Sequence, residues 1–570
     1  MASRTPPRGV TLPGRLFDRL QTSPDSPALA FYRPGRGPTE WKAYADVHAE
    51  AAATAAAMAD LGCRPGTACI IVLPSGPAAA RLVLAALLQG ALPLLIAPPS
   101  ILGSGSDLAR VLDSTVRRSK ARLVVCPQTM ADEIDPSRWR STRVVFGEET
   151  LTALPPGEAT APAPSGPGDL AALQLTSGTT GLPKICMWSH RGVLAAIDGM
   201  TAAMAVDQDD IFFNWTPLYH DMGLVNNYLT CLLAGIPLVM MSPHDFVKSP
   251  VSWLRGLTET RANVTWSPNF GFALATQRIR EEELEAVELS HVSGFWNAAE
   301  RIHLSTMIDF QQRFSPWGLA PDALKTNFGC AENVGGATFT ETGKPFSYEY
   351  VDRDALLVER LAIPSTAESP TAVAVVGAGR AHPLMEISIR SRQGQPLPDG
   401  HIGEIALDTP SRMLGYWGDA RASQRALSHG VLRTGDLGYL REGELFWVGR
   451  VKERITVRGR KLDPSDFEPV LFSVDGLRKG SFAAFGVDDE ATGTQRVVVV
   501  SEVVEPLPVP PFRLRESIAR AVLEKLGLSV EVLLVPPGTL TKTSSGKRRH
   551  RHFRREYERG RLQTIQIESP

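Results

Sequence analysis

Short β-branched runs that recur between segments of helical spacing restrict this chain more than any other feature. The runs fall at residues 70–73, 94–96, 122–125 and 143–146, and a helical segment such as 106–118 lies between two of them. Parallel strands need long crossovers, which are normally helices, so this alternation predicts a mostly parallel α/β sheet. An Ala-rich helix is expected over 41–61, with Gly62 where a C-cap would sit. Residues 154–168, LPPGEATAPAPSGPG, hold too much Pro, Gly and Ala to pack regularly and read as a surface linker.

Beyond the linker the pattern resumes with strands at 171–175 and 238–241, a helix at 192–204 and a charged helix around 277–287. Between 395 and 446 short strands separated by Gly, Pro and Asp clusters suggest a small β-rich subdomain. The tail carries its own strand signals at 481–487 and 496–503 and a helix at 512–526, which suggests a small, mobile α+β domain. The expected division is a large domain over 1–450 and a small one over 451–570. A length of 570 residues allows it, since a domain takes roughly 150.

Charge narrows the partners. Sixty Lys and Arg against 61 Asp and Glu leave a net charge of −1, so no global field favours nucleic acid or an anionic membrane. The greasiest stretch, 78–98, is interrupted by Arg81, Gln89 and Pro93, and the first residues lack an apolar run. Neither a membrane span nor secretion is expected. The six cysteines show no metal-type pairing, so free thiols and a cytoplasmic location are expected.

Chemistry concentrates first at Thr176-Ser-Gly-Thr-Thr-Gly-Leu-Pro-Lys184, directly after an apolar strand. Gly178 and Gly181 permit tight turns, Thr176, Ser177, Thr179 and Thr180 supply hydroxyl and amide donors, and Lys184 adds charge, which together suit a polyphosphate. The spacing is not that of a Walker loop. A Ser/Thr/Gly string is also what an ordinary loop looks like.

Further motifs follow in order: Asn327-Phe-Gly-Cys-Ala-Glu332, Leu432-Arg-Thr-Gly-Asp-Leu437, Gly449-Arg-Val-Lys-Glu-Arg454 with Val457-Arg-Gly-Arg460, and Thr543-Ser-Ser-Gly-Lys547. In these the chain resembles the adenylate-forming superfamily of acyl-CoA synthetases, peptide-synthetase adenylation domains and luciferases. Trp215-Thr-Pro-Leu-Tyr-His-Asp-Met-Gly-Leu224, Ser267-Pro-Asn-Phe270 and Trp296-Asn-Ala-Ala-Glu300 resemble the fatty acyl-AMP ligases in particular. Residues 350–364 look like the insertion by which such ligases hinder coenzyme A, or like an inert surface excursion.

The resemblance implies ATP and Mg2+ as cofactors, a carboxylic acid as substrate, and roles by position. Lys547 is the catalytic lysine pairing the carboxylate with the α-phosphate. Glu332 binds Mg2+, with Thr180 of the loop. Phe328 stacks on adenine in place of Tyr, keeping the flat face without the hydroxyl. Asp436 accepts the ribose hydroxyls, Arg450 contacts ribose or phosphate, and Lys452 is the hinge between two orientations of the small domain. The rest of the nucleotide site falls on Ala298, Ala299, Glu300, Asn327, Gly329, Cys330 and Ala331. His220 lines the acyl site. An adjacent His and Asp rarely face each other, so positioning rather than proton transfer is expected of it.

Departures bear on the acid. Asn226, Asn227, Asn333 and the 297–301 segment differ from the fatty acyl-AMP ligase pattern, and a buried amide without a partner costs about 1 to 3 kcal/mol. One reading is an acid shorter than a fatty acid, polar or aromatic, held by Asp221, Met222, Gly223, Asn226, Trp266, Phe270, Trp296 and Asn333. The other is that these amides bond to backbone outside the tunnel. The acceptor is expected to be an acyl carrier protein thiol, with coenzyme A as the alternative. Residues 547–561 hold eight Lys/Arg and two Glu and form either a solvated basic helix or a docking face for that carrier. A noncatalytic nucleotide- or acyl-binding homologue is the reading from another class.

Overall fold

The computed structural model describes residues 11–98, 105–152, 163–176, 183–451, 455–457, 460–489, 494–543 and 547–565. Its largest described sheet begins as the alternation predicts. Pro27–Arg33, Leu238–Met241, Phe212–Asn214, Val264–Pro268, Gly294–Ala298 and Leu324–Cys330 run side by side and parallel. Direction then changes. A short turn over Ala331–Asn333, Val334 at φ 58° and Gly335 at φ 99° send Gly335–Phe339 back antiparallel along Leu324–Cys330. The antiparallel run continues through Ala372–Ala381, Glu444–Arg450, Leu432–Arg441, Gly403–Asp408 and Glu386–Arg390. The β-rich region therefore starts well before 395 and is bonded continuously to the parallel strands.

A second sheet aligns Arg143–Phe146, Leu123–Cys126, Ala68–Ile71, Leu92–Leu95 and Leu170–Leu175 in parallel. Ile185–Ser189 and Gly415–Tyr416 extend it antiparallel. The helices Tyr44–Asp60, Pro77–Leu88 and His190–Met204 share one apolar core with residues of both sheets, which welds the sheets together. Parallel strands covered on both faces need continuous apolar runs, and Ile70, Ile71, Val124 and Val125 are all fully buried.

The charged helix expected at 277–287 does not form. Asn269–Arg278 is the helix, Ile279 is extended, and a single tight turn spans Glu281–Leu284. Only Leu284 of that turn is buried, so three consecutive glutamates have no apolar stripe to hold a longer helix down.

Residues from Ile455 onward make their own apolar core around Phe467, Val499, Ile518 and Leu534. The sheet there joins Leu477–Asp489, Thr494–Val503 and Val530–Val535, and Pro511–Leu526 covers it with Leu514, Ile518, Val522 and Leu526 on one face. Leu357, from the segment expected to be an insertion, packs against this core. That segment is a strand, Tyr348–Asp352, paired to Ala372–Ala381, followed by a wide helical turn at Ala355–Glu359. Arg353 Nη1 adds a 2.6 Å bond to the carbonyl of Lys525. All six cysteines are free, and no described helix is long and apolar enough to cross a membrane. The hinge position, Lys452, lies outside the described residues, as does most of the linker.

Candidate active site

Leu170–Leu175 ends at the base of the candidate phosphate loop. The Thr176 N–H donates to the Lys184 carbonyl at 2.9 Å, and the Lys184 N–H donates to Thr176 Oγ1 at 3.1 Å, so the two ends of the loop are clamped. Ser177, Gly178, Thr179, Thr180 and Gly181 lie outside the described residues. From the clamp, the Lys184 ammonium reaches 4.1 Å from the centroid of the Tyr416 ring. The Tyr416 hydroxyl in turn donates to Glu332 Oε1 at 2.7 Å. Burial and the Glu332 charge push the Tyr416 phenol far above its ordinary pKa, so it stays a donor.

Tyr416 was absent from the sequence-based site. It arrives because Gly415–Tyr416 pairs with Ile185–Ser189, with Tyr416 opposite Cys186. Its only sequence signal is the Gly415-Tyr-Trp417 string, an aromatic pair after a glycine, which carries no chemistry until the pairing is known. Trp188 Nε1 adds a 2.7 Å bond to the Ala331 carbonyl, fixing the backbone before Glu332.

Across the cleft, Asp436 and Arg450 face each other on neighbouring antiparallel strands. Arg450 Nε donates to Asp436 Oδ1 at 3.0 Å and Trp447 Nε1 donates to the same oxygen at 3.1 Å. Asp436 is only 3% exposed. A cavity of about 590 Å³ is lined by these residues together with Asn327, Phe328, Gly329, Ala299, Glu300 and Lys547. Gly329 is needed there for packing: a Cβ would stand 2.4 Å from the Gly335 carbonyl oxygen. Cys330, Ala331 and Ala298 sit beside this lining, the last buried at the end of Gly294–Ala298.

Lys547 comes from the small domain and is already in the cleft. A hairpin contact holds it: the Thr543 N–H donates to the Lys547 carbonyl at 2.8 Å, and the Lys547 N–H to Thr543 Oγ1 at 3.0 Å. Desolvation, then the Arg450 cation, pull its ammonium below the usual lysine range, against Asp221, Asp436 and Glu300. Desolvation raises the Glu300 carboxyl, which accepts a 2.7 Å bond from the Phe270 N–H. Two cations and three carboxyls thus converge where an anion can enter.

His220 and Asp221 face each other, contrary to the sequence expectation. Nδ1 lies 2.7 Å from Asp221 Oδ1. Asp221 adopts φ −55°, ψ −36° at the start of the wide helical turn Met222–Leu229, which folds both side chains over the Met222 N–H. That N–H reaches Asp221 Oδ1 at 2.9 Å and His220 Nδ1 at 3.1 Å. Burial would raise the Asp221 carboxyl, but His220, Lys547 and this N–H hold it below its ordinary value.

The remaining acid-binding candidates resolve differently. Asn226 Oδ1 accepts from the Gly336 N–H at 3.2 Å, and Asn333 bonds the Gly336 carbonyl and the Ser411 hydroxyl. Asn227 Nδ2 donates to the Met222 carbonyl at 2.8 Å. Backbone thus takes one group of each of these amides, while the Asn333 oxygen meets the Ser411 hydroxyl and Asn227 Oδ1 is buried without a hydrogen-bond partner among the described residues. Gly223 is steric: a Cβ would stand 2.2 Å from the Pro217 carbonyl oxygen. Trp266 and Trp296 stack on each other at 5.3 Å with Phe339 edge-on to both. Trp266 is 0% exposed, so no water-sized space touches it. Only Phe270 of the substrate candidates lines the cavity.

Among the described residues no group of three or more His, Cys, Asp or Glu is set to hold a metal. Glu332, with one oxygen taken by Tyr416, fits a hard cation that takes few protein ligands and fills its shell from phosphate oxygens and water.

A family model described as AMP-binding enzyme matches residues 16–417. A Mycobacterium tuberculosis protein named as a long-chain-fatty-acid–AMP ligase is 32% identical over 424 residues, 69% of this chain and 71% of that one. A medium-chain-fatty-acid–acyl-carrier-protein ligase of Moorena producens is 33% identical over 396 residues, 66% of each chain. The crystal structure of a fatty acyl-adenylate ligase from L. pneumophila, in complex with acyl adenylate and pyrophosphate, matches with a TM-score of 0.73 and 25% identity, covering 98% of both chains. With a family model matched over most of its length, and with Asp436, Arg450 and Lys547 lining one cavity, the chain belongs to the AMP-binding enzymes of the adenylate-forming superfamily, close to the fatty acyl-AMP ligases.

Proposed function

We propose that this enzyme joins a carboxylic acid to AMP and passes the acyl group to the phosphopantetheine thiol of an acyl carrier protein. In the first step a carboxylate oxygen attacks the α-phosphorus of ATP and the bond to pyrophosphate breaks. In the second the thiol sulfur attacks the acyl carbon, AMP leaves and the thiol gives up its proton. The observation that carries the reading is Lys547: a lysine from the small domain, drawn into the cleft that Asp436, Arg450 and Phe328 line. Two anions must approach each other in the first step, and a cation aimed at both lowers that barrier.

In this reading the clamped loop and Lys184 hold phosphates, Phe328 stacks on the base and Asp436 takes the ribose hydroxyls. Glu332 would hold Mg2+, which when bound would supply positive charge to the phosphate oxygens. His220, oriented by Asp221, borders the acid.

The relative named as a medium-chain-fatty-acid–acyl-carrier-protein ligase supports the carrier over free coenzyme A. Leu357 in the small-domain core and the Arg353 bond to Lys525 tie the 350–364 segment to that domain. Two experiments test the whole reading. Pyrophosphate release with ATP and a panel of straight-chain and aryl acids should find at least one substrate; none at all would reject acid activation. Product analysis with holo carrier protein against free coenzyme A should give the carrier thioester in excess, and the reverse would make this an acyl-CoA ligase.

A further inference from the structure

Immediately after Glu300, two side chains of the large domain reach the small one. Arg301 Nη1 donates to Asp466 Oδ1 at 2.6 Å and to the Ser465 hydroxyl at 2.9 Å. His303 Nε2 lies 2.9 Å from Glu468 Oε2. Both targets sit on one short stretch, the turn Pro464–Phe467 and the helix Glu468–Phe472. That turn is self-supporting: Asp466 Oδ2 accepts from the Asp463 N–H at 2.8 Å, and Asp463 Oδ1 accepts from the Ser465 N–H at 2.9 Å. Arg301 binds the other oxygen of Asp466, so it grips a preformed element.

Glu468 carries the contact onward. Arg548 Nη1 donates to the same Oε2 that His303 meets, at 3.0 Å, and Arg548 Nη2 to Oε1. Arg548 is the neighbour of Lys547, and its guanidinium also rests 4.5 Å over the Phe482 ring and bonds the Gly480 carbonyl. Burial works against the charge of Arg301 and of Glu468, yet in each case the facing partners outweigh it and keep the pair ionised.

We propose that Arg301 and His303 are positioning residues for acid activation: through Asp466, Ser465, Glu468 and Arg548 they latch the small domain so that Lys547 stays in the cleft. The inference rests on the adenylate-forming reading above. Both also line the cavity that Lys547 enters, and the latch acts through the small domain rather than through the reactants. All three bonds must break before the small domain can turn, so the latch favours the first half-reaction at the expense of the second.

The test uses the full chain with R301A and H303A, which remove the latch from the large-domain side and leave the turn and the Arg548–Glu468 pair intact. ATP–pyrophosphate exchange is read with the acid giving the highest wild-type rate in a panel from acetate to palmitate plus benzoate. Exchange kcat should fall about tenfold or more while KM for ATP holds within about twofold, since geometry rather than binding is lost. Transfer from the preformed acyl adenylate of that acid to pantetheine should be unchanged or faster. R301K should recover most of the exchange rate, because both Arg301 bonds fall on one nitrogen that an ammonium can replace. Equal losses in both half-reactions, or none in either, would overturn the proposal.

Hydrogen exchange of the intact protein gives a reading independent of catalysis. Amides of 464–472 should exchange about tenfold faster in the R301A/H303A double variant than in wild type, with the parallel strands unaffected. Unchanged protection there would reject the latch. Absence of pyrophosphate exchange by the wild type with every acid, together with that deprotection in the double variant, would reject the adenylate-forming reading and keep the interdomain contact.

Discussion

Tyr416 and Glu332 lie 84 residues apart in the chain and meet at 2.7 Å, phenol donating to carboxylate. Hydrogen bonds to charged groups contribute about 1.5 to 3 kcal/mol, and this one also fixes which way the carboxylate points. Tyr416→Phe keeps the ring under Lys184 and removes only the donor. The Mg2+ concentration for half-maximal pyrophosphate release should rise about tenfold, with stability lowered by no more than that bond contributes. An unaltered Mg2+ titration would show that Glu332 needs no such support.

Lys547 makes the first half-reaction sensitive to alkali. Its folded pKa lies below the ordinary lysine value, so the cation is fully present at lower pH and is lost as pH rises through the lowered value. Pyrophosphate release should therefore decline on the alkaline side before a free lysine would titrate. Lys547→Arg should move that decline upward, since arginine stays charged. A profile identical in the two proteins would place the titrating group elsewhere.

Asp436 is buried with Arg450 and Trp447 bonded to one of its oxygens. Asp436→Asn keeps the shape and loses the charge. KM for ATP should rise about tenfold or more while the response to the acid concentration changes little, because a charged acceptor is roughly twice as strong as a neutral one. Arg450 is one-third exposed on its side chain, so its loss of a partner should cost stability only modestly.

Trp296 stacks on Trp266 within the buried aromatic cluster. Trp296→Ala should open a cavity and destabilise the fold by about 3 to 5 kcal/mol. If the acid points toward this cluster, the chain-length optimum in a pyrophosphate-release series should shift to longer or bulkier acids. The same optimum in both proteins would place the acyl tail elsewhere.

How much of this was legible beforehand varies by element. The strand at 122–125 and the helix ending at Leu526 follow from local pattern, because burial on both sheet faces and on one helix face imprints period and composition on the chain. The helix at 277–287 misread charge as helix, since a run of glutamates satisfies propensity without offering a face to bury. The site motifs were visible as strings. Their geometry was not, and the His220–Asp221 contact went against expectation because a backbone turn folded two neighbours together.

By itself the amino-acid order determined which segments fold locally, where charge and glycine punctuate them, and which family the chain resembles; these depend on near neighbours. Only the tertiary structure decided that Tyr416 backs Glu332 and that Arg301 and His303 grip the small domain. Those contacts join residues from 84 to 165 positions apart. Such pairs exist only once strand order and domain packing have fixed distances that no local periodicity encodes.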